Sequence, residues 1–217
     1  MKNFSKIIIL VFSYLSLSAC EFVSGSSGKT VTDSQQSREF DGIKMIAEHI
    51  TDPIDPVSID RDIMDVGPSS HVLVRYMELM SIESDFRTES GHKVELTLGT
   101  NQKPEEVIKT LKACPITQLW NMRATWNHPF GFRKQGWTPG GALDTGMCAT
   151  ATLVKTSSGV ATGEISFDIT PWLLNYVRAK RINYGLALIS DLSVTVYGNQ
   201  DSTRSPRIKW IKTTTSR

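Results

Sequence analysis

The chain has 217 residues, of which 40% are hydrophobic and 21% are charged, and its formal net charge is +2. This length suits one domain with a tail, and this composition excludes wholesale disorder, collagen and a multi-pass membrane protein. Lys2 and Lys6 lie in the first nineteen residues, and the remaining chain, with 22 basic and 22 acidic side chains, gives no reason to expect nucleic acid as a partner.

The first twenty residues have the pattern of an export signal. Residues 1–6 are positively charged, and Ile7–Leu17 is an apolar run that is too short to span about 30 Å of hydrocarbon. Leu17-Ser18-Ala19-Cys20 follows this run and resembles a bacterial lipobox. Residues 1–19 are therefore predicted to be a lipoprotein signal peptide, and the resemblance implies lipidation of Cys20 and cleavage before it. The alternative is an ordinary signal peptide with a chance cysteine.

The segment after the lipobox predicts a tether and a location. Residues 20–38 are rich in Ser, Thr, Gly and Gln, which is typical of a flexible tether, and residues 39–217 are predicted to be the folded domain. In lipobox proteins, an Asp after the lipidated Cys is associated with inner-membrane retention. Because Glu21 stands there, the resemblance implies a cell-envelope protein held by its lipid in the outer membrane.

An acidic run early in the domain could supply oxygen ligands for a structural Ca²⁺. Its spacing fits no calcium loop, and a solvated acidic loop is the preferred interpretation. The four histidines also lack metal-ligand spacing, so no other metal and no cofactor is predicted. The acidic residues are Asp52, Asp55, Asp60, Asp62 and Asp65.

Alternation of apolar and polar residues predicts a β-rich domain. It is clearest around Val94–Leu98 and Ile165–Ile169. Thr170-Pro171 is a helix-start signal, and the apolar positions after it predict one short helix near residues 170–179. Short strands in series with one helix predict a mainly antiparallel β-sandwich. Further strands are predicted over residues 71–77, 119–126, 147–154, 184–189, 194–197 and 207–211.

Cys114 and Cys148 are the two cysteines that remain once Cys20 is lipidated. In an oxidising envelope compartment an isolated pair favours a disulfide over a metal site. Two buried free thiols are the alternative.

The region between residues 120 and 137 is the richest in aromatic residues. Aromatic faces in a groove can stack on sugar rings, and flanking cations can hold acidic sugars or phosphates. In the Gly- and Pro-bounded loop of this region, local packing of the aromatic residues is an equal alternative to contact with a ligand or protein. The predicted ligand-binding residues are Phe130, Phe132, Arg133, Lys134 and Trp137.

Several short motifs follow one another in an order that is typical of a known family. They are F-D-I-T-P-W at Phe167–Trp172, N-Y-G-L-A-L at Asn183–Leu188, the Leu119–Pro129 stretch with its two tryptophans, Leu73–Met77, Val196–Gly198 and Ser205–Ile208. Over residues 70–211 the chain thereby resembles DNRLRE-type domains, which are jelly-roll modules of bacterial secreted and cell-surface proteins. Tyr197-Gly198 departs from that family's aromatic-x-Ser pattern. The resemblance implies a jelly-roll sandwich with Trp120 and Trp126 as core residues of one strand.

No catalytic signature is present in the sequence. It contains no G-x-S-x-G turn. A glycosidase requires two carboxylates about 5–10 Å apart, and a sequence does not show that distance. Because some DNRLRE-type domains are classed with carbohydrate-binding modules, we expect a non-enzymatic, lipid-anchored protein whose domain binds glycan or polysaccharide. One alternative is a structural or accessory lipoprotein that binds another envelope protein through the same loop or a sheet edge. An enzyme acting on glycans is the third possibility.

Overall fold

The structure is a computed structural model. It describes residues 33–39, 45–51, 63–76, 92–121, 123–130, 136–156, 158–178, 182–198 and 203–215. The predicted signal peptide, Cys20, most of the acidic run and three of the predicted ligand-binding residues lie outside these ranges.

Within these ranges the chain forms eleven strands and two short helices. The strands are β1 (Asp33–Glu39), β2 (Met45–Thr51), β3 (Ile63–Val66), β4 (Ser70–Tyr76), β5 (His92–Gly99), β6 (Lys112–Pro115), β7 (Ala149–Lys155), β8 (Ala161–Asp168), β9 (Leu186–Ile189), β10 (Val194–Tyr197) and β11 (Arg207–Thr215). The helices are α1 (Pro104–Val107) and α2 (Thr170–Arg178), and a 3-10 turn spans Thr145–Met147. Neither helix is long and apolar enough to cross a membrane.

The eight strands from β3 to β10 pair in a nested antiparallel pattern. β3 pairs with β10, β4 with β9, β5 with β8, and β6 with β7. This is the pairing of one long hairpin wrapped into two layers, which is the arrangement of a jelly roll. The predicted fold class, a mainly β, antiparallel jelly-roll-like β-sandwich, is therefore confirmed. α2 confirms the helix predicted near residues 170–179, whereas α1 was not among the predicted elements.

The strands form two layers that are joined at one side. One layer has the order β1-β11-β5-β8-β7 and the other the order β6-β9-β4-β2. β6 and β7 connect them through two residue pairs, Lys112 with Thr150 and Ala113 with Ala149. β3 and β10 form a separate two-stranded sheet.

The main core contains the apolar faces of both layers. Val94, Leu96 and Leu98 on β5 are fully buried, as are Ile165 and Phe167 on β8. These residues alternate with polar neighbours, so the strand periodicity read from the sequence identifies the inward face correctly. Full burial of each large apolar side chain contributes about 1.5–3 kcal/mol to the driving force for folding.

A second core covers the opposite face of β4 and β9. Leu73 and Ala187 are fully buried there, although the residues on either side of each belong to the main core. They pack with Trp120, Trp126 and Trp137, which come from the long connection between β6 and β7. We call residues 116–148 the β6–β7 connection. Because it covers this sheet, both faces of β4 and β9 are buried.

Three sequence predictions about strands need correction. The predicted tether of residues 20–38 overlaps β1, which begins at Asp33. β1 lies at a sheet edge and pairs with β11 through the backbone, so it forms without an apolar face. The predicted strand over residues 119–126 is not formed by the described residues of this range. Among them, Thr125 forms an isolated bridge with His128, and Trp120 and Trp126 are buried as the resemblance implies. Strands β2, β3 and β6 were not among the predicted strands.

Candidate functional site

The predicted ligand-binding loop is described only at its two ends. Phe130 is half-buried, and Trp137 is 8% exposed. The indole N–H of Trp137 donates to the carbonyl oxygens of Thr125 and Trp126, each at 3.1 Å. Of the two interpretations of this loop, contact with a ligand or protein and local packing, local packing describes the surroundings of Trp137. Phe132, Arg133 and Lys134 lie outside the described residues, so their contact with a ligand stays a prediction.

His71 is a titratable group next to this packed region. Its ring centroid lies 4.7 Å from that of Trp126, and its Nδ1 lies 2.7 Å from the carbonyl oxygen of Gly140. Burial lowers the pKa of His71, against the smaller opposing effect of the Gly140 carbonyl. The neutral form of the ring is therefore more favoured than in an ordinary histidine, and Nδ1 must carry the proton because a carbonyl can only accept. His71 thus fixes the Gly140 turn against β4.

A cleft beside α2 is a concave site in the described part of the chain. Its volume is about 250 Å³. It is bordered by the start of the β6–β7 connection, by the 3-10 turn, by α2 and by the chain that enters β9. We call it the α2 cleft. Its aromatic and polar lining residues include Thr117, Asp144, Trp172, Asn175, Tyr176 and Tyr184.

Three aromatic side chains form much of the surface of the α2 cleft. Trp172 and Tyr176 are four residues apart on α2, so they lie on the same side of the helix. Their rings are stacked, with centroids 6.0 Å apart and an interplanar angle of 25°. Trp172 is 9% exposed and forms the floor, whereas Tyr176 and Tyr184 are half-buried. The carbonyl oxygen of Tyr184 accepts a 2.7 Å hydrogen bond from Trp120 Nε1, which ties this wall to the second core.

Polar groups in the cleft are held in place by neighbouring atoms. Asn175 Nδ2 lies 3.2 Å from the sulfur of Met147. Asp144 Oδ1 accepts from the N–H of Gly146 at 3.2 Å. Thr117 Oγ1 donates to the carbonyl oxygen of Ala142 at 3.1 Å. Because a carboxylate and an amide each have more than one hydrogen-bonding position, these anchored groups can also bind the hydroxyl groups of a ligand.

The walls of the cleft are fixed by backbone hydrogen bonds and by a disulfide. The N–H of Asp144 donates to the carbonyl oxygen of Pro115 at 2.8 Å, and the N–H of Ile116 donates to that of Gly185 at 3.0 Å. Cys114 and Cys148 form a disulfide with a Cα–Cα distance of 4.1 Å, which confirms the predicted pair. This bond joins β6 directly to the residue after the 3-10 turn. The cleft is therefore built before any ligand arrives, which lowers the ordering cost of binding.

The structure brings no metal site together among the residues that it describes. No group of three or more His, Cys, Asp or Glu side chains is close enough there to hold a metal ion. Asp65 lies exposed on β3, and the other four members of the predicted acidic run lie outside the described ranges. The suggested structural Ca²⁺ therefore stays a prediction.

Comparison with known proteins gives no relative from which a function could be transferred. No protein-family model, curated protein or solved structure matches this chain. The lipobox and the resemblance to DNRLRE-type domains therefore remain predictions.

Sequence reasoning missed the α2 cleft although it identified two of the elements that border it, α2 and β9. Trp172 and Tyr184 belong to the motifs Phe167–Trp172 and Asn183–Leu188, where they were read as marks of the fold alone. The available signal was the four-residue spacing of Trp172 and Tyr176 after a helix start, because it places two aromatic rings on one side of a short helix. That this side meets Tyr184 and Asp144 depends on strand pairing and cannot be read from spacing.

Proposed function

We propose that this chain is a lipid-anchored protein of the bacterial cell envelope whose jelly-roll domain binds glycan without acting on it. The observation that carries the glycan part is the α2 cleft, where Trp172, Tyr176 and Tyr184 lie among anchored polar groups. The proposal moves the expected binding surface from the loop around Phe132 to this cleft. The jelly-roll fold alone is no argument for glycan binding, because one fold hosts many functions.

The chemistry of the cleft suits a sugar ring. The carbon-bound hydrogens of a pyranose form an apolar face that packs on an aromatic ring, and the half-buried rings of Tyr176 and Tyr184 present such surfaces. The hydroxyl groups at the rim of a sugar need hydrogen-bond partners once water is displaced. Asp144 and Asn175 supply acceptors beside the aromatic rings, and hydrogen bonds to a carboxylate are stronger than neutral ones.

The proposed anchor places the domain a short distance from the bilayer. Cys20 would carry the acyl chains, and the folded domain begins at β1, whose first residue is Asp33. Thirteen residue steps at about 3.3 Å each give a maximum reach of about 40 Å. The cleft could then meet envelope polysaccharide while the lipid stays in the outer membrane.

Tyr184→Ala is expected to weaken glycan binding about fivefold, because a stacked aromatic contact is worth about 1 kcal/mol and each 1.4 kcal/mol is a factor of ten. The mature protein, extracted in detergent, is titrated with polysaccharides that it retains from a glycan array. Tyr184→Phe keeps the ring and is expected to retain most of the affinity. Leu192→Ala changes a side chain that is 62% exposed outside the cleft and serves as the surface control.

Two results would contradict the glycan proposal. If no glycan is retained and crosslinking of envelope extracts enriches one protein, the chain is an accessory lipoprotein that binds that protein. Ile182, which is 68% exposed at the cleft, gives such a partner an apolar contact. If the purified protein releases reducing ends from a glycan and Asp144→Asn abolishes the release, the protein is an enzyme.

Cys20→Ser is expected to release the protein from the membrane fraction, because the acyl chains supply about 0.8 kcal/mol of membrane affinity per buried CH₂ group. Cell fractionation with mass spectrometry of the N-terminal peptide measures both location and lipid. An unlipidated wild-type peptide that still begins at residue 20 or later would refute the anchor and leave an ordinary exported protein.

A further inference from the structure

A second cavity lies directly beside the α2 cleft. Its volume is also about 250 Å³, and we call it the β6 cavity. Met147 and Trp172 line both cavities. The β6 cavity continues past them toward β6, β9 and the start of α2, and its other lining residues include Ala113, Gly146, Cys148, Asp168 and Leu186.

We propose that the α2 cleft and the β6 cavity are two adjacent subsites for one ligand, an uncharged linear glycan of at least two sugar residues that crosses Met147 and Trp172. This inference rests on the proposed function, and it adds the length and the charge class of the ligand. It also makes the β6 cavity, which Cys148 of the disulfide lines, part of the binding site.

The size of each cavity sets the minimum length of the ligand. A site that encloses a drug-sized molecule has a volume of about 300–1,000 Å³, so a cavity of about 250 Å³ suits a single sugar ring. Two such cavities with a shared boundary suit two linked rings. A chain that fills both gains the second contact without a second loss of translational and rotational freedom.

The boundary between the subsites is held in a defined position. Met147 forms it from the 3-10 turn, where its N–H donates to the carbonyl oxygen of Asp144 at 3.2 Å. Its sulfur meets Asn175 Nδ2 from α2, at 3.2 Å, and the next residue, Cys148, is fixed by the disulfide. Trp172 lines both cavities, so it borders both proposed subsites.

The charges around the two cavities disfavour an anionic ligand. Each cavity has one carboxylate, Asp144 in the α2 cleft and Asp168 in the β6 cavity, and no basic side chain is among the described residues that line them. The side chain of Lys93 is paired with Glu95, with Nζ 2.5 Å from Oε1. The hydrogen bond with Glu95 is the largest cause of the raised pKa of Lys93, and the attraction of Asp168 is a smaller one. An acidic sugar would therefore face two carboxylates, whereas neutral hydroxyl groups can donate to them.

Backbone contacts reduce the attraction that the carboxylates would exert on a cationic sugar. Asp144 Oδ1 accepts from the N–H of Gly146, and Asp168 Oδ1 accepts from that of Thr170 at 3.0 Å. Both carboxylates thus already have donors in the protein. The burial of a ligand ammonium group would add a desolvation cost, whereas the aromatic floor packs on an uncharged ring. We therefore expect the affinity to change little with salt.

The test uses ladders of neutral oligosaccharides, one to six residues long, built from glucose, galactose, mannose or N-acetylglucosamine. The detergent-extracted mature protein is expected to bind a tetrasaccharide of one ladder at least tenfold more tightly than its monosaccharide. Gly146→Phe places a ring in the β6 cavity. Residue 146 is exposed, and a Cβ there would meet only Asp144 Oδ1, at 3.4 Å. This variant should bind the tetrasaccharide no better than the monosaccharide.

The outcomes separate this inference from the proposed function. Val160→Phe adds the same ring at a site that is 63% exposed and outside both cavities, and it should leave the length dependence unchanged. If Tyr184→Ala weakens binding as expected but the wild type binds one and four sugar residues equally, the second subsite is refuted and the glycan proposal stands. Tighter binding of a uronic-acid or amine-bearing ladder refutes the charge class. No binding to any ladder refutes both proposals.

Discussion

Gly185→Ala is expected to lower the free energy of unfolding by at least 3 kcal/mol, on the order of what backbone strain and a core clash cost together. Gly185 has φ +87°, in the left-handed region, and a Cβ there would collide with the carbonyl oxygen of Val74. Val74 pairs with Leu186 in the β4–β9 ladder, so that oxygen cannot move without breaking sheet hydrogen bonds. Denaturant unfolding followed by intrinsic fluorescence measures the loss.

Gly159→Ala provides the matched control for this prediction. Gly159 also has a left-handed φ, +82°, but a Cβ there would have no atom within 4 Å. The variant should therefore lose only the backbone strain, about 1 kcal/mol. If both variants lose the same free energy, the close approach of Val74 to Gly185 contributes nothing, and that explanation is wrong.

Removal of the disulfide is expected to destabilise the domain by about 4 kcal/mol. The bond closes a loop with a sequence separation of 34 residues, and in the chain-entropy model a loop of this length is worth about 3–4 kcal/mol. The Cys114→Ala/Cys148→Ala double variant also leaves space in a core where Cys114 is fully buried. Chemical unfolding of the double variant beside the wild type measures the difference.

Treatment with reductant separates the stabilising effect of the disulfide bond from that of the packing of its sulfur atoms. Reduced wild-type protein keeps both sulfurs, so it should lose most of the free energy that the double variant loses, and the double variant itself should not respond to reductant. A wild type whose unfolding is the same with and without reductant would show that the bond does not stabilise the domain.

The elements that the sequence identified are those whose apolar residues recur at the spacing of a strand or a helix. β5 and β8 alternate apolar and polar residues, and the apolar ones lie in the main core, although Thr97 and Ser166 on the other face are buried as well. The two cysteines could be paired from the redox chemistry of the compartment. The short helix could be placed from Thr170-Pro171 and the apolar residues that follow. In each case the deciding interaction is local, or it depends on residue type alone.

The missed elements depend on contacts between distant parts of the chain. β6 has four residues, of which the last three are buried without alternation. Ala113 belongs to the main core, and the next residue, Cys114, is buried in the disulfide. β1 has a polar sequence and exists through its backbone pairing with β11. The segment around Trp120 contains the aromatic residues of a strand but is a packed connection. Its tryptophans cover β4 instead of extending a sheet.

The candidate site also depends on contacts between distant parts of the chain. Its walls come from four separate stretches, which include Thr117, Asp144, Tyr176 and Tyr184. The pairing of β6 with β9 and the disulfide bring these stretches together. No spacing rule relates them in the sequence, whereas the predicted aromatic loop was conspicuous because its residues are neighbours.

The pairing of β1 with β11 has a consequence for how the protein is made. β11 lies between β1 and β5, and its register joins Asp33 to Thr215, so the sheet is incomplete until residues 207–215 have left the ribosome. Nested strands with such distant partners fold on the slow side, in milliseconds to seconds. The sheet therefore stays unfinished until β11 has been made. In the exported protein that we propose, this leaves time for the polypeptide to pass through a translocation channel in an extended form and to acquire its disulfide on the far side.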